Sequence, residues 1–143
     1  MARNEYREYL AWVPLFAQCN KKQLDEIGRV ADEIVVKAGE EFIKQGDVGR
    51  EVLIILQGSA TVSVDGKVVA KLGKGDFVGE LSVLLAGHHR RNASVVADTD
   101  IDALVLTASG LDQLLDDVPG LAKHLLFEVA RRLTADEVVD SQG

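Results

Sequence analysis

Apolar residues recur along this chain in two rhythms, helical at both ends and strand-like between them. Tyr6, Leu10 and Val13 fall at near-helical spacing within residues 4–13. Pro14 interrupts that helix, and Leu15-Phe16 follows as an apolar plug. Asn20 with Gln23 three residues on predicts a capping box, in which the Asn side chain accepts from a free backbone N–H and the Gln side chain reaches back. Leu24, Ile27, Val30 and Ala31 then predict the buried face of the helix so started. From Asp32 the period changes. Ile34-Val35-Val36, Glu41-Phe42-Ile43, Val52 to Leu56, Ala60/Val62/Val64, Val68-Val69, Ala93 to Ala97 and Ile101 to Leu106 are short β-type runs. After Thr107 helical spacing returns with Leu111, Leu114 and Leu115. Val118-Pro119 predicts a further helix start, since proline is tolerated in a first turn. Leu121, Leu125, Val129 and Leu133, flanked by Leu126 and Ala130, form a stripe suited to packing on the strands or pairing with a second subunit.

Nine of the 13 glycines lie between Gly39 and Gly87, which places the tight turns there. Asp65-Gly66 between two β-type runs is the strongest hairpin signal, because a type I′ turn needs positive φ at both central positions. Many short strands with such turns predict a small antiparallel barrel or sandwich. The 143 residues suit one domain, with helices over 1–31, strands over 32–106 and helices over 107–139. No repeat, low-complexity tract or interdomain linker is visible.

Composition removes several function classes. A hydrophobic share of 47% with 27% charged residues is a globular mix. The longest apolar run, Tyr9 to Ala17, falls far short of the ~20 residues of a membrane helix, so no membrane partner is expected. No apolar stretch opens the chain as a secretory signal would, and Cys19, the single cysteine, cannot pair internally, so a cytoplasmic location is expected. Sixteen basic against 23 acidic residues give −7, which argues against nucleic acid as a partner. Local charge adds a different hint. Between Gly75 and Ala122 eight acidic residues accompany only two basic ones, Arg90 and Arg91, side by side. Two adjacent guanidiniums in an acidic stretch suit a small anion, or a solvated loop.

The segment from Gly75 to Val95 carries the candidate chemistry. A strand ends at a glycine turn and a short helix is expected to start at Gly79-Glu80. A helix N-terminus offers free N–H groups and partial positive charge. Gly79 has no side chain to keep a ligand from the backbone. Glu80 repels phosphate, but suits a hydrogen bond from a hydroxyl on the same ligand; its alternative role is to cap the helix. Arg91 supplies a bidentate donor for two phosphate oxygens, or a structural ion pair. Together these residues suggest a ligand bearing a phosphate and a neighbouring sugar hydroxyl.

Phe77-Val78-Gly79-Glu80-Leu81-Ser82, followed by Arg91-Asn92-Ala93-Ser94, resembles the phosphate-binding cassette of the cyclic-nucleotide-binding domain family, as found in catabolite activators and kinase regulatory subunits. Val13-Pro14-Leu15-Phe16, Gly39 to Asp47, Leu53 to Gly58 and Ala130-Arg131-Arg132-Leu133 resemble other parts of the family, so the likeness spans nearly the whole chain. It implies a mainly β fold: a small antiparallel double-sheet β-barrel (jelly-roll, cupin-like) with N-terminal and C-terminal helices and a cassette over 79–94. It further implies cAMP or cGMP as ligand. Glu80 would accept from the ribose 2′-hydroxyl and Arg91 would pair with the exocyclic phosphate oxygens. The backbone amides of Gly79, Leu81 or Ser82, and of Asn92 and Ala93, would cradle the rest. Val62 and Val69 match positions lining the base pocket, and Arg132 on the last helix is a candidate to close over the base. The residue before the arginine is Arg90 where many relatives have proline, and the Arg-x-Ala spacing selects Arg91 for the phosphate. Asn92 stands where some relatives carry a threonine that favours guanine, which leaves the base open.

No catalytic constellation is visible, so the expected output is conformational, through movement of the C-terminal helix, and no enzyme activity is expected. Two other readings stand beside it. The same fold can serve without nucleotide as a structural or interaction module, as a homodimer through the C-terminal helix or with an effector protein. A cupin-type metal site would need a His-x-His pair and a Glu on strands; His88-His89 instead adjoin in a loop, so no metal is expected. His124 reads as a partly packed helix residue and Cys19 as a packed, idle thiol. The chain ends ten residues after Leu133, too few for a helix-turn-helix reader.

Overall fold

The change of period at Asp32 is where the sheets begin. The computed structural model describes residues 10–79 and 90–142, with side chains as far as Arg131. A 3-10 turn, Pro14–Phe16, precedes helix α1 (Lys21–Val30). Eight strands follow: β1 (Asp32–Val36), β2 (Glu41–Ile43), β3 (Glu51–Gln57), β4 (Ala60–Val64), β5 (Lys67–Leu72), β6 (Phe77–Val78), β7 (Ser94–Ala97) and β8 (Ile101–Thr107). Helices α2 (Ala108–Asp117) and α3 (Leu121–Gln142) complete the chain. The strands form two antiparallel four-stranded sheets, ordered β1-β8-β3-β6 and β2-β7-β4-β5. This is the double-sheet β architecture with flanking helices that the sequence predicts.

The apolar run in β3 is continuous because both its faces are covered. Val52, Ile54 and Leu56 point to a core shared with Phe16, Leu24, Ile27, Leu114 and Leu121 of the helical layer. Leu53 and Ile55, the alternate residues, pack between the sheets with Ile43, Val95 and Ala97. Strand β8 divides the same way, Leu104 and Leu106 outward, Ala103 and Val105 inward. Full burial of each such side chain contributes roughly 1.5–3 kcal/mol, so both cores matter to the fold.

Local signals explain the boundaries. The Asn20 side chain accepts from the Gln23 amide at 2.8 Å and the Gln23 side chain accepts from the Asn20 amide at 2.9 Å, a complete capping box. Asp65 and Gly66 have φ of 52° and 81°, the left-handed pair that a type I′ turn requires between β4 and β5. Thr107 caps α2 by accepting from the Gly110 amide at 3.0 Å. The expected helix start at Val118-Pro119 is not what forms. Val118 ends α2, Gly120 turns with φ 84°, and α3 starts at Leu121. The stripe on α3 also splits. Leu121 and Leu125 are buried and Val129 partly so, but Leu126 is 70% exposed and Phe127 65%.

Candidate ligand site around Arg91

Arg91 leaves the cassette just before β7 and reaches back across two loops. Its backbone is fixed first: the Arg91 amide donates to the Asp47 carbonyl at 2.7 Å, and the Gly46 amide donates to the Arg91 carbonyl at 2.9 Å. The half-buried guanidinium then donates to the Gly79 carbonyl at 3.2 Å and the Glu51 carbonyl at 3.0 Å. Arg91 therefore joins the end of β6 to the start of β3, with the loop of residues 44–50 laced to its main chain.

Two glycines make room for it. Gly79 has φ 93°, and a Cβ there would strike the Arg91 guanidinium and stand 2.6 Å from the Glu51 carbonyl oxygen. Gly49 is buried, and a Cβ on it would overlap the guanidinium. Sequence reasoning selected Gly79 and missed Gly49. The available signal was a glycine near the start of a strand without a turn to make, which marks close approach of another group.

The two arginines take different positions. Arg90 is exposed, forms an isolated bridge with Val48, and donates from its guanidinium to the Gly46 carbonyl at 2.8 Å. Arg91 is the one held beside Gly79. Asn92 is exposed and Ala93 half-buried on the bend that leads into β7, so both adjoin Arg91. Ser94 opens β7 and its hydroxyl accepts from the Gln45 amide at 3.0 Å. Glu80, Leu81 and Ser82 lie outside the described residues, as do His88 and His89.

The apolar candidates separate. Val62 on β4 packs partly buried against the core between the sheets. Val69 falls at an irregularity of β5, where pairing jumps from Val62↔Ala70 to Ser63↔Val68, and it is 46% exposed. Arg132 lies in α3, beyond the last described side chain. Its neighbour Arg131 pairs with Glu128 at 2.8 Å, and that carboxylate, with a smaller contribution from Asp76, raises the guanidinium pKa further.

A phosphate-bearing ligand fits what is present. A charged bidentate donor sits between two residues without side chains, beside the main chain of Asn92 and Ala93. Among the described residues no His, Cys, Asp and Glu cluster could hold a metal. Cys19 packs partly buried against the helical-layer core, and burial raises its thiol pKa, which lowers its thiolate fraction. No described helix is long and apolar enough to cross a membrane.

Comparison with known proteins bears on the family and the fold. A family model described as the cyclic nucleotide-binding domain matches residues 33–118. The chain is 33% identical over 121 residues to the cAMP-dependent protein kinase regulatory subunit of Schizosaccharomyces pombe, covering 83% of this chain and 29% of that protein. It is 32% identical over 123 residues to the cGMP-dependent protein kinase of Toxoplasma gondii, covering 86% and 12%. The chain thus spans less than a third of either relative's length. Among solved structures, the catabolite activator protein of Thermus thermophilus superposes with a TM-score of 0.79 at 29% identity, covering 90% of this chain and 62% of that one.

Proposed function

The chain belongs to the cyclic nucleotide-binding domain family, and from that premise we infer that it senses cAMP or cGMP as a regulatory module without catalysis of its own. The observation that carries this reading is the placement of Arg91 between Gly49 and Gly79 at the head of β7. Arg91 takes the phosphate. Asn92 and Ala93 adjoin it, and the amides of Gly79, Leu81 and Ser82 complete the cradle. Glu80 accepts from the ribose hydroxyl. Val62 lines the base pocket, Val69 borders it, and Arg132 of α3 is the candidate to close over the base. We read residues 1–143 as one such domain, cytoplasmic, with the cassette over 79–94. Binding shifts α3, and its differential affinity for the two positions of that helix sets how far.

Calorimetric titration with cAMP and cGMP, beside Arg91→Lys, tests this. Lysine keeps the charge and loses the fork. Ligand at a hundred times its Kd adds about 2.7 kcal/mol to stability, a rise of roughly 5–10 °C in Tm for a domain this size. Saturable binding that the variant loses supports the reading. Flat titrations of folded protein for both nucleotides overturn it.

A second reading has its own observation. Two of the Arg91 donors already serve backbone carbonyls, which is a structural role in itself. Under that reading the domain is an interaction module, a homodimer through α3 or a partner to an effector protein, with Leu126 and Phe127 on the contacting face. Sedimentation of wild type and Leu126→Ser without nucleotide separates the two.

A further inference from the structure

The loop of residues 44–50 holds the cassette at one end and the β4–β5 hairpin at the other, and one residue does both. Gln45 donates its backbone amide to the Ser94 hydroxyl at 3.0 Å. Its side-chain amide donates to the Asp65 carboxylate at 2.9 Å, and its side-chain carbonyl accepts from the Asp65 backbone amide at 2.9 Å. Both polar atoms of that side chain are engaged with the hairpin tip, so its orientation is fixed; a flipped amide would set donor against donor. Asp65 is held in turn in the left-handed conformation of the turn, φ 52°.

Other residues of the loop and its flanks hold Arg91. Gly46 and Asp47 bond the Arg91 main chain, and Glu51 and Gly79 bond its guanidinium. Strand β4 of this hairpin already pairs with β7 as far as Ser63↔Ser94; beyond that point Gln45 ties the hairpin tip at Asp65 to Ser94, the first residue of β7. The geometry points to Gln45 as a positioning residue that fixes the hairpin tip, and with it the edge strand β5 and its share of the wall toward the base, relative to the phosphate cradle. This rests on the cyclic-nucleotide reading above. Its consequence is a division of labour: Gln45 governs the part of the affinity that comes from the base, and Arg91 the part that comes from the phosphate.

The experiment compares cAMP with ribose 3′,5′-cyclic phosphate, which lacks the base, by competition titration on wild type and Gln45→Ala. A lost pair of hydrogen bonds is expected to narrow the affinity gap between the two ligands about threefold to tenfold. Affinity for the ligand without a base stays within about twofold. A partner exchange guards against a purely structural effect. Gln45→Glu sets a carboxylate against Asp65 and narrows the gap. Adding Asp65→Asn, an amide suited to the left-handed turn, supplies a donor again and restores it. An unchanged gap in Gln45→Ala, equal losses for both ligands, or failure of the double variant to recover overturns the inference while leaving the cyclic-nucleotide reading standing. Wild-type protein that binds neither of these ligands nor cGMP overturns both.

Discussion

The guanidinium of Arg91 occupies the space that a methyl group on Gly49 would fill. Gly49 is not in the left-handed region, so its backbone accepts alanine and the whole cost of Gly49→Ala comes from displacing Arg91. We expect a loss of about 1–3 kcal/mol of stability, as in overpacking generally, and nucleotide affinity roughly tenfold weaker or more, as for a lost charged hydrogen bond. The check is a double-mutant cycle in urea. In an Arg91→Ala background the same substitution should be neutral or stabilising, by up to about 1 kcal/mol. A cost that persists in that background would refute the contact as its cause.

Gly79→Ala should behave differently. Its φ of 93° is strained for any L residue, and the new Cβ also meets the Glu51 carbonyl oxygen at 2.6 Å. The left-handed conformation alone costs about 1–2 kcal/mol. Removing Arg91 therefore does not rescue it. Thermal melts should show Gly79→Ala still lowering Tm when it is added to Arg91→Ala.

Helix α1 depends on its reciprocal cap. Asn20→Ala is expected to cost about 1 kcal/mol, whereas Asn20→Asp, which can accept the same hydrogen bond, should cost little. Gln23→Ala removes only the return bond from the Asn20 amide. Far-ultraviolet melts that fail to separate Asn20→Ala from Asn20→Asp would show that the cap does not limit stability.

Cys19 should react slowly with iodoacetamide. Burial raises its pKa, so at about pH 8 the folded chain presents less thiolate than the unfolded one. Alkylation is expected to accelerate in urea. The sign for stability follows: the folded state favours the protonated thiol, so this contribution is intact below the ordinary cysteine range and declines as pH rises above about 8.5. Equal alkylation rates in native and unfolded protein would contradict the burial.

The features legible in the sequence were those set by near neighbours. Asn20 and Gln23 are three residues apart, Asp65 and Gly66 are adjacent, and both behave in the fold as their local chemistry dictates. Positions set by distant contacts were not legible. Pro119 suits a first helical turn, but Gly120 supplies a left-handed residue that closes a turn there instead. Leu126 has the apolar character of its neighbours, yet it is Leu121 and Leu125, with Val129 in part, that pack against the core. Val69 lies where β5 slips against β4, a register event that no residue type announces. The cassette was read as a set of residues, and Arg91 and Arg90 were told apart by spacing. What spacing does not convey is that Arg91 lies against a second glycine, Gly49, 42 positions earlier in the chain.

Strands β3 and β8 each face both cores, with the helical layer on one side and the second sheet on the other. Neither layer can lift away without opening one face of this pair to water. Amide protons of Ile54, Ile55 and Leu104 should therefore exchange with solvent only when the whole chain opens, while those at the tip of the β4–β5 hairpin exchange through local fraying. The central strand pair thus acts as the clock of the molecule: its slowest exchange rates measure the global free energy of folding directly.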